Sequence, residues 1–199
     1  MLKYAIILIA GYLLGSISVA VLFTRSRFGS DVRKQGSGNA GATNVARVFG
    51  MNAGLVTLAG DMCKTALSGL IGYLLAGHSG LALGCLGCLI GHCWPVFFDL
   101  KGGKGVSVSA CIALLLDWRL FLIVVAWFFL MFLICRRVSL CSITAGLLFP
   151  LVYYLFRHSL DAGFVLCCMV PIIVCWQHRG NIARLVKGTE PPFKPKNKS

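Results

Sequence analysis

Charge is scarce in this chain, and negative charge most of all. Charged residues make up 13% of its 199 positions, against roughly 25% in soluble proteins. Six are Asp or Glu, while nineteen are Lys or Arg. A soluble domain with a charged shell is thereby excluded. Metal-ligand spacing is also missing. Ten cysteines (Cys63, Cys85, Cys88, Cys93, Cys111, Cys135, Cys141, Cys167, Cys168 and Cys175) lie within or at the ends of apolar runs, where small thiols pack well. Cys85 and Cys88 form a C-x-x-C, yet no second Cys or His pair stands at metal spacing in a polar loop. Neither a metal site nor a disulfide framework is expected. The Walker A spacing is absent, and there is no internal repeat.

What is present is apolar. Hydrophobic residues reach 58% and the mean hydropathy is +0.84. A bilayer span takes about 20 mostly apolar residues, and in lipid only helices satisfy their own backbone without closing a barrel. The runs predict helices over 4–24, 52–76, 80–97, 106–116, 119–135, 141–156 and 162–176. The expected fold is therefore all-α, a polytopic membrane protein with seven transmembrane helices. Lys3 followed by an apolar stretch and Ser18-Val19-Ala20 has the outline of a cleaved signal peptide. Because further spans follow, 4–24 is read as an uncleaved first span.

Charge placement supports seven. Fifteen of the nineteen Lys and Arg fall within 25–51, 98–105, 136–140 and 177–199. Seven spans put all four stretches on one face, with Lys3, Arg119 and Arg157 on the other. Fusing 106–135 into one helix would divide the fifteen seven against eight. It would also leave Asp117 and Arg119 at mid-bilayer, where charge is costly. The basic face is read as cytoplasmic, which puts the N-terminus outside and the C-terminus inside. Residues 1–190 form one membrane domain. Residues 191–199 are expected as a basic, disordered tail near anionic lipid. The net charge of +13 thus needs no nucleic acid.

The basic stretches also hold the polar, glycine-rich segments. In the loop from Gln35 to Asn44, small residues allow backbone N–H groups to converge on an anion, and Arg47 follows with a two-pronged guanidinium. A turn-rich flexible loop explains the same composition. The loop does not meet the dinucleotide fingerprint, whose G-x-G-x-x-G must lie between a strand and a helix. Lys101-Gly102-Gly103-Lys104-Gly105 opens the run from Val106, as an anion site at a helix N-terminus would; a tight basic turn is the plainer alternative. His178, Asn181 and Arg184 share helical spacing. Ser139 and Ser142 stand beside Arg136 and Arg137. Asp61 and Lys64, three apart within a span, read equally as a structural pair or a functional one. His92 and Pro95 shape the entry to the Lys101 loop.

Four strings in order, GSGNAGATN with Arg47, GHCWPVFFDLKGGKG, RRVSLCSI and HRGNIARLVKGTE, closely resemble the bacterial membrane-integral acyl-phosphate:glycerol-3-phosphate acyltransferases. They span nearly the whole chain. Gly180 stands where a charged residue is common in that family, and it leaves Asn181 in place. The resemblance implies a seven-helix enzyme of the bacterial inner membrane, active on its cytoplasmic side. It would move an acyl group from acyl phosphate to the 1-hydroxyl of glycerol 3-phosphate, giving lysophosphatidic acid, the first acylation of phospholipid synthesis. No cofactor, metal, acyl-CoA or acyl carrier protein is implied; an enzyme supplying acyl phosphate is an implied partner. A His with Asp five positions on, used by other glycerolipid acyltransferases, is absent: His78, His92, His158 and His178 are followed there by Leu83, Phe97, Gly163 and Ala183.

On that resemblance Lys104, His178, Arg47, Ser37 and Asn181 are the expected catalytic residues. Gly38, Asn39, Gly41, Thr43, Asn44, Gly102, Gly103, Gly105, Ser142 and Arg184 are expected to bind substrate or phosphate. The base is either His178 or a phosphate oxygen of the donor. The rival class is a transporter for a small organic phosphate, which would use the same cations.

Overall fold

The computed structural model describes residues 1–194. They form ten α-helices and no strand: α1 (Leu2–Gly15), α2 (Val19–Phe28), α3 (Ala42–Phe49), α4 (Met51–Cys93), α5 (Val106–Leu116), α6 (Trp118–Cys135), α7 (Val138–Leu147), α8 (Phe149–Arg157), α9 (Ala162–Gln177) and α10 (Arg179–Val186). Among the described residues, four helical stretches are long and apolar enough to cross a membrane, or five when α9 and α10, bent by 65°, count as one. α5 has 11 residues.

α4 breaks where the sequence predicts a gap between two helices. Ala76 and Gly77 leave helical geometry, Gly77 at φ +58°, and the two arms fold back on each other. Ser68 Oγ donates to Gly84 O at 3.1 Å. The first arm buries Thr57, Asp61, Lys64, Thr65 and Ser68 and turns Leu67, Leu70 and Leu74 outward. Polar stripe in, apolar face out, is the helix pattern of a chain solvated by lipid.

The other boundaries have visible causes. Asp117 leaves the helix in an extended conformation and accepts from the Arg119 N–H at 2.9 Å, while its carboxylate pairs with the Arg119 side chain at 2.8 Å. That is the expected turn between 106–116 and 119–135. The first run, expected as one helix over 4–24, is split between Gly15 and Val19. The cause lies 49 residues away: Lys64 Nζ donates to Gly15 O (2.9 Å) and Ile17 O (2.8 Å), carbonyls that a continuous helix would use internally. The run at 141–156 begins earlier, at Val138, and is jointed at Leu148 ahead of Pro150. The tail expected from Pro191 on is anchored in its described part, because the Phe193 N–H donates to Arg136 O at 2.8 Å. Residues 195–199 lie outside the described residues.

α1 lies against the second arm of α4 with almost no side chain between them. A Cβ at Gly15 would stand 2.2 Å from Cys88 O, and one at Gly91 would stand 2.1 Å from Tyr12 O. Such close backbone approach drives helix association where lipid removes the hydrophobic incentive. Gly91→Leu should force α1 off α4 and lower stability by about 3 kcal/mol or more, the cost of overpacking plus lost contacts. Thermal unfolding in detergent measures this; an unchanged midpoint would show that the contact is dispensable.

Candidate functional site

Three loops and two short helices meet at one end of the bundle. Asp31 starts the assembly. It caps the short turn Val32–Lys34 through the Arg33 N–H (2.9 Å) and pairs with Arg25 (2.8 Å) and Arg33 (2.9 Å). Burial pushes its carboxyl up, but the hydrogen bonds from Arg33 and Arg25 outweigh this and hold it far below the usual range. Arg33 also donates to Phe98 O (2.8 Å), tying this loop to the next.

Asn44 then folds the glycine-rich loop. Its Oδ1 accepts from the Ser37 N–H (2.9 Å), and its Nδ2 donates to the carbonyls of Val32 (3.2 Å), Gln35 (3.0 Å) and Asn39 (3.1 Å). The Gly38 N–H is bonded to Gln35 O, and Gly38 takes φ +73° to turn the chain. Of the loop amides expected to face an anion, those of Ser37 and Gly38 already have partners within the loop. The loop delivers α3, which carries Thr43 and Arg47.

A cavity of about 700 Å³ opens there. Ser37, Asn39, Gly41, Thr43, Asn44, Arg47, Lys104, Ser142, His178, Asn181 and Arg184 all line it, so eleven of the expected residues from all four strings converge. Gly38, Gly102, Gly103 and Gly105 do not. A Cβ on Gly102 would meet His92 O at 2.1 Å, and one on Gly103 would meet the His92 ring at 2.2 Å. The Gly103 N–H already donates to His92 O (3.0 Å). Gly105, at φ +80°, starts α5. These glycines set the path of the loop, and of the residues 101–105 Lys104 is the one that lines the cavity.

Lys104 Nζ donates to Asn181 Oδ1. Asn181 Nδ2 donates to Glu190 Oε1 (2.6 Å), which also accepts from Ser139 Oγ (2.7 Å). Glu190 Oε2 pairs with Arg184 at 2.7 Å. Burial raises the Glu190 carboxyl, but these three donors hold it below its ordinary range. Burial, helped by the nearby charges of Arg184 and Arg47 and opposed by Glu190, lowers the Lys104 ammonium to about 8. Arg47 makes no ion pair or hydrogen bond among the described residues; its guanidinium lies 5.8 Å from the Phe193 ring. Ser142 Oγ donates back to Val138 O (2.8 Å). His178 is buried, and its Nδ1 donates to Val174 O at 2.8 Å, which leaves Nε2 as the ring's lone-pair nitrogen. Burial and the Lys104 charge lower its pKa to about 4, so it is neutral at pH 7.

Below this polar mouth the cavity is apolar. Beyond Ser142, the residues Ala145, Gly146 and Phe149 line it along one face of α7 and into α8, opposite Phe132, Phe128 and Val124 on α6. From Ser142 to Phe149, a rise of 1.5 Å per residue gives an apolar depth of about 10 Å. Glu190, His92, Ser107 and Ser109 also line the cavity and were not among the expected site residues. Glu190 is the one carboxylate in the fourth string, which was its available signal. The contacts of Ser107 and Ser109 depend on long-range packing and leave no local mark.

The profile of the family described as Glycerol-3-phosphate acyltransferase matches residues 5–188. Proteins called glycerol-3-phosphate acyltransferase from Prochlorococcus marinus (strain NATL2A) and Syntrophotalea carbinolica are 41% and 40% identical. The matches cover 94% of this chain and 96% of the first, and 98% of this chain and 100% of the second. The crystal structure of PlsY (YgiH), an integral membrane glycerol 3-phosphate acyltransferase, in its glycerol 3-phosphate form superposes with a TM-score of 0.89 at 32% identity, covering 96% of each chain. Its lysophosphatidic acid form gives 0.87 at 30% identity, covering 96% of this chain and 95% of that one.

Asn44→Ala should strand the Ser37 amide and three loop carbonyls. The expected loss is about 1–3 kcal/mol of stability, with faster proteolysis of the loop than of the helices. Equal protease resistance of variant and parent would show that the loop does not depend on this side chain.

Proposed function

The chain belongs to the glycerol-3-phosphate acyltransferase family, and on that premise we propose acyl phosphate as its donor and Arg47 with Lys104 as the cations that hold the two phosphorylated substrates. It is an integral membrane enzyme that acylates glycerol 3-phosphate to lysophosphatidic acid. The observation that carries the donor and site assignment is the pairing of two cations lacking carboxylate partners with an apolar cavity about 10 Å deep at 1.5 Å per residue. Two unit charges 4 Å apart interact by about 4 kcal/mol at an effective dielectric of 20. Two phosphates brought together need that repulsion offset, and an acyl chain needs the apolar depth.

An acyl phosphate is a mixed anhydride, already activated, so no covalent enzyme intermediate is needed. The 1-hydroxyl of glycerol 3-phosphate attacks the acyl carbon, the bond from that carbon to the phosphate oxygen breaks, and phosphate leaves. Lys104 and Arg47 stabilise the charge that builds on the departing phosphate. Ser37, Asn39, Thr43, Ser142, His178 and Asn181 orient the glycerol unit. The hydroxyl proton passes to an oxygen of the donor phosphate, since burial and the Lys104 charge lower His178 to about 4 and make its imidazole a poor base.

Seven spans are assigned to α1 with α2, the two arms of α4, α5, α6, α7 with α8, and α9. The N-terminus is outside and the site is on the cytoplasmic side of a bacterial inner membrane. Fifteen of the nineteen basic residues fall within the sequence stretches 25–51, 98–105, 136–140 and 177–199, which supports this through the positive-inside rule.

Purified protein given acyl phosphate and labelled glycerol 3-phosphate should release lysophosphatidic acid and phosphate in equal amounts. Equal turnover of acyl-CoA would overturn the donor assignment, and uptake into vesicles without product would favour a transporter. The kcat/KM for glycerol 3-phosphate reports free-enzyme ionisations. It should fall as pH rises through about 8, where Lys104 loses its charge. A profile flat well above that pH would exclude the ammonium from substrate capture.

A further inference from the structure

The second charged cluster lies deeper, beside the cavity, and no step above uses it. Asp61 Oδ1 is 3.1 Å from Lys64 Nζ and 3.4 Å from His92 Nδ1, and Asp61 Oδ2 accepts from Ser107 Oγ at 2.9 Å. All four side chains are buried. Charge inside a membrane helix is costly and marks function more often than not. A pair serving only to join helices would stop at α1 and α4, yet this one reaches across to the Lys101–Gly105 loop from both ends. On the near side His92 O holds the Gly103 N–H at 3.0 Å, and the His92 ring fills the space where a Gly103 Cβ would stand. On the far side Ser107, three residues after Lys104, is tied to Asp61 at the first turn of α5. His92 and Ser107 also line the cavity.

We propose that Asp61, held by Lys64 and acting through His92 and Ser107, is the positioning residue for the Lys101–Gly105 loop and so aims the Lys104 ammonium at substrate phosphate. This rests on the assignment of Lys104 as a substrate cation. Asp61 touches no substrate; it fixes both flanks of the segment that does. Lys64 holds the carboxylate in place at 3.1 Å, and its other protons bond Gly15 O and Ile17 O at the break between α1 and α2.

The test is the double variant Asp61→Asn with Lys64→Gln, which removes both charges and keeps polar shape. Replacing a buried pair together avoids the orphaned ion that single substitutions leave. The expected result is a folded protein, with unfolding midpoint near the parent's, whose kcat/KM falls roughly 10- to 100-fold, since about 1 Å of misplacement costs that much. In a Lys104→Arg background, where the aimed group is already altered, the same pair of changes should cost only about threefold or less, because residues acting through one another are non-additive. Full additivity, or parent-like activity in the folded double variant, overturns the proposal. Should the double variant not fold, Ser107→Ala decides. It should lower kcat/KM about threefold or more at an unchanged midpoint, and parent-like kinetics would overturn the proposal equally. Failure of the parent itself to turn over acyl phosphate would instead refute the donor assignment, leaving the two readings separable.

Discussion

Six carboxylates must serve nineteen cationic side chains, and every one of the six is already engaged. Asp31 holds Arg25 and Arg33, Asp61 holds Lys64, Asp117 holds Arg119, and Glu190 holds Arg184. Asp161 accepts from Tyr153 Oη at 2.8 Å and faces His78 at 3.5 Å, and exposed Asp99 lies 3.7 Å from Arg33. None is left for Arg47 or Lys104, both of which line the cavity. Among the described residues their charge is uncancelled, which is what the proposed anionic substrates require. Each carboxylate also fixes a chain segment, so the same scarcity that shapes the site builds the turns that present it.

The cavity joins two solvents. Its mouth carries cations, amides and hydroxyls, and its depth carries Phe128, Val124 and Phe149. A donor with a phosphate head and an alkyl tail can place each part in matching surroundings only at such a boundary. The tail contributes binding energy that does not depend on the reaction, while the phosphate contacts strengthen as charge moves onto the leaving oxygen. Only the second kind of contact accelerates the chemical step. On the proposed mechanism the cations stand at the mouth, where the bonds would break, and the apolar depth supplies orientation.

Much of this was legible in the sequence. Hydropathy located the helices from Val106 to Leu116 and from Trp118 to Cys135 nearly to the residue, because Asp117 and Arg119 interrupt the apolar run and cap the turn locally. The gap at Ala76–Gly77 was readable for the same reason. The split between α1 and α2 was not, because the cation that competes for Gly15 O and Ile17 O sits 49 residues on. Composition found the glycine loops but misassigned their atoms. Small residues in a loop signal close approach, without saying whether the approaching group is a ligand or, as at Gly102 and Gly103, the backbone and ring of His92. Glu190 escaped because its importance comes from the chain folding back over α7 and α10.

That fold-back poses an electrostatic problem, and Asn181 is the answer to it. Glu190 ties its segment to Ser139, Asn181 and Arg184, yet a carboxylate directly against Lys104 would cancel the charge proposed to receive phosphate. Asn181 stands between them, accepting from Lys104 through Oδ1 and donating to Glu190 through Nδ2. An amide passes on orientation without neutralising charge. Glu190 meanwhile takes its ion pair from Arg184, whose side chain is nearly half exposed, rather than from the more buried lysine. Aspartate in place of Asn181 would keep the bond to Lys104 but face Glu190 with a like charge at hydrogen-bond distance, which is destabilising. The residue between a half-buried lysine and a buried glutamate must accept from one and donate to the other while carrying no charge, and of the short side chains asparagine does both with two separate atoms.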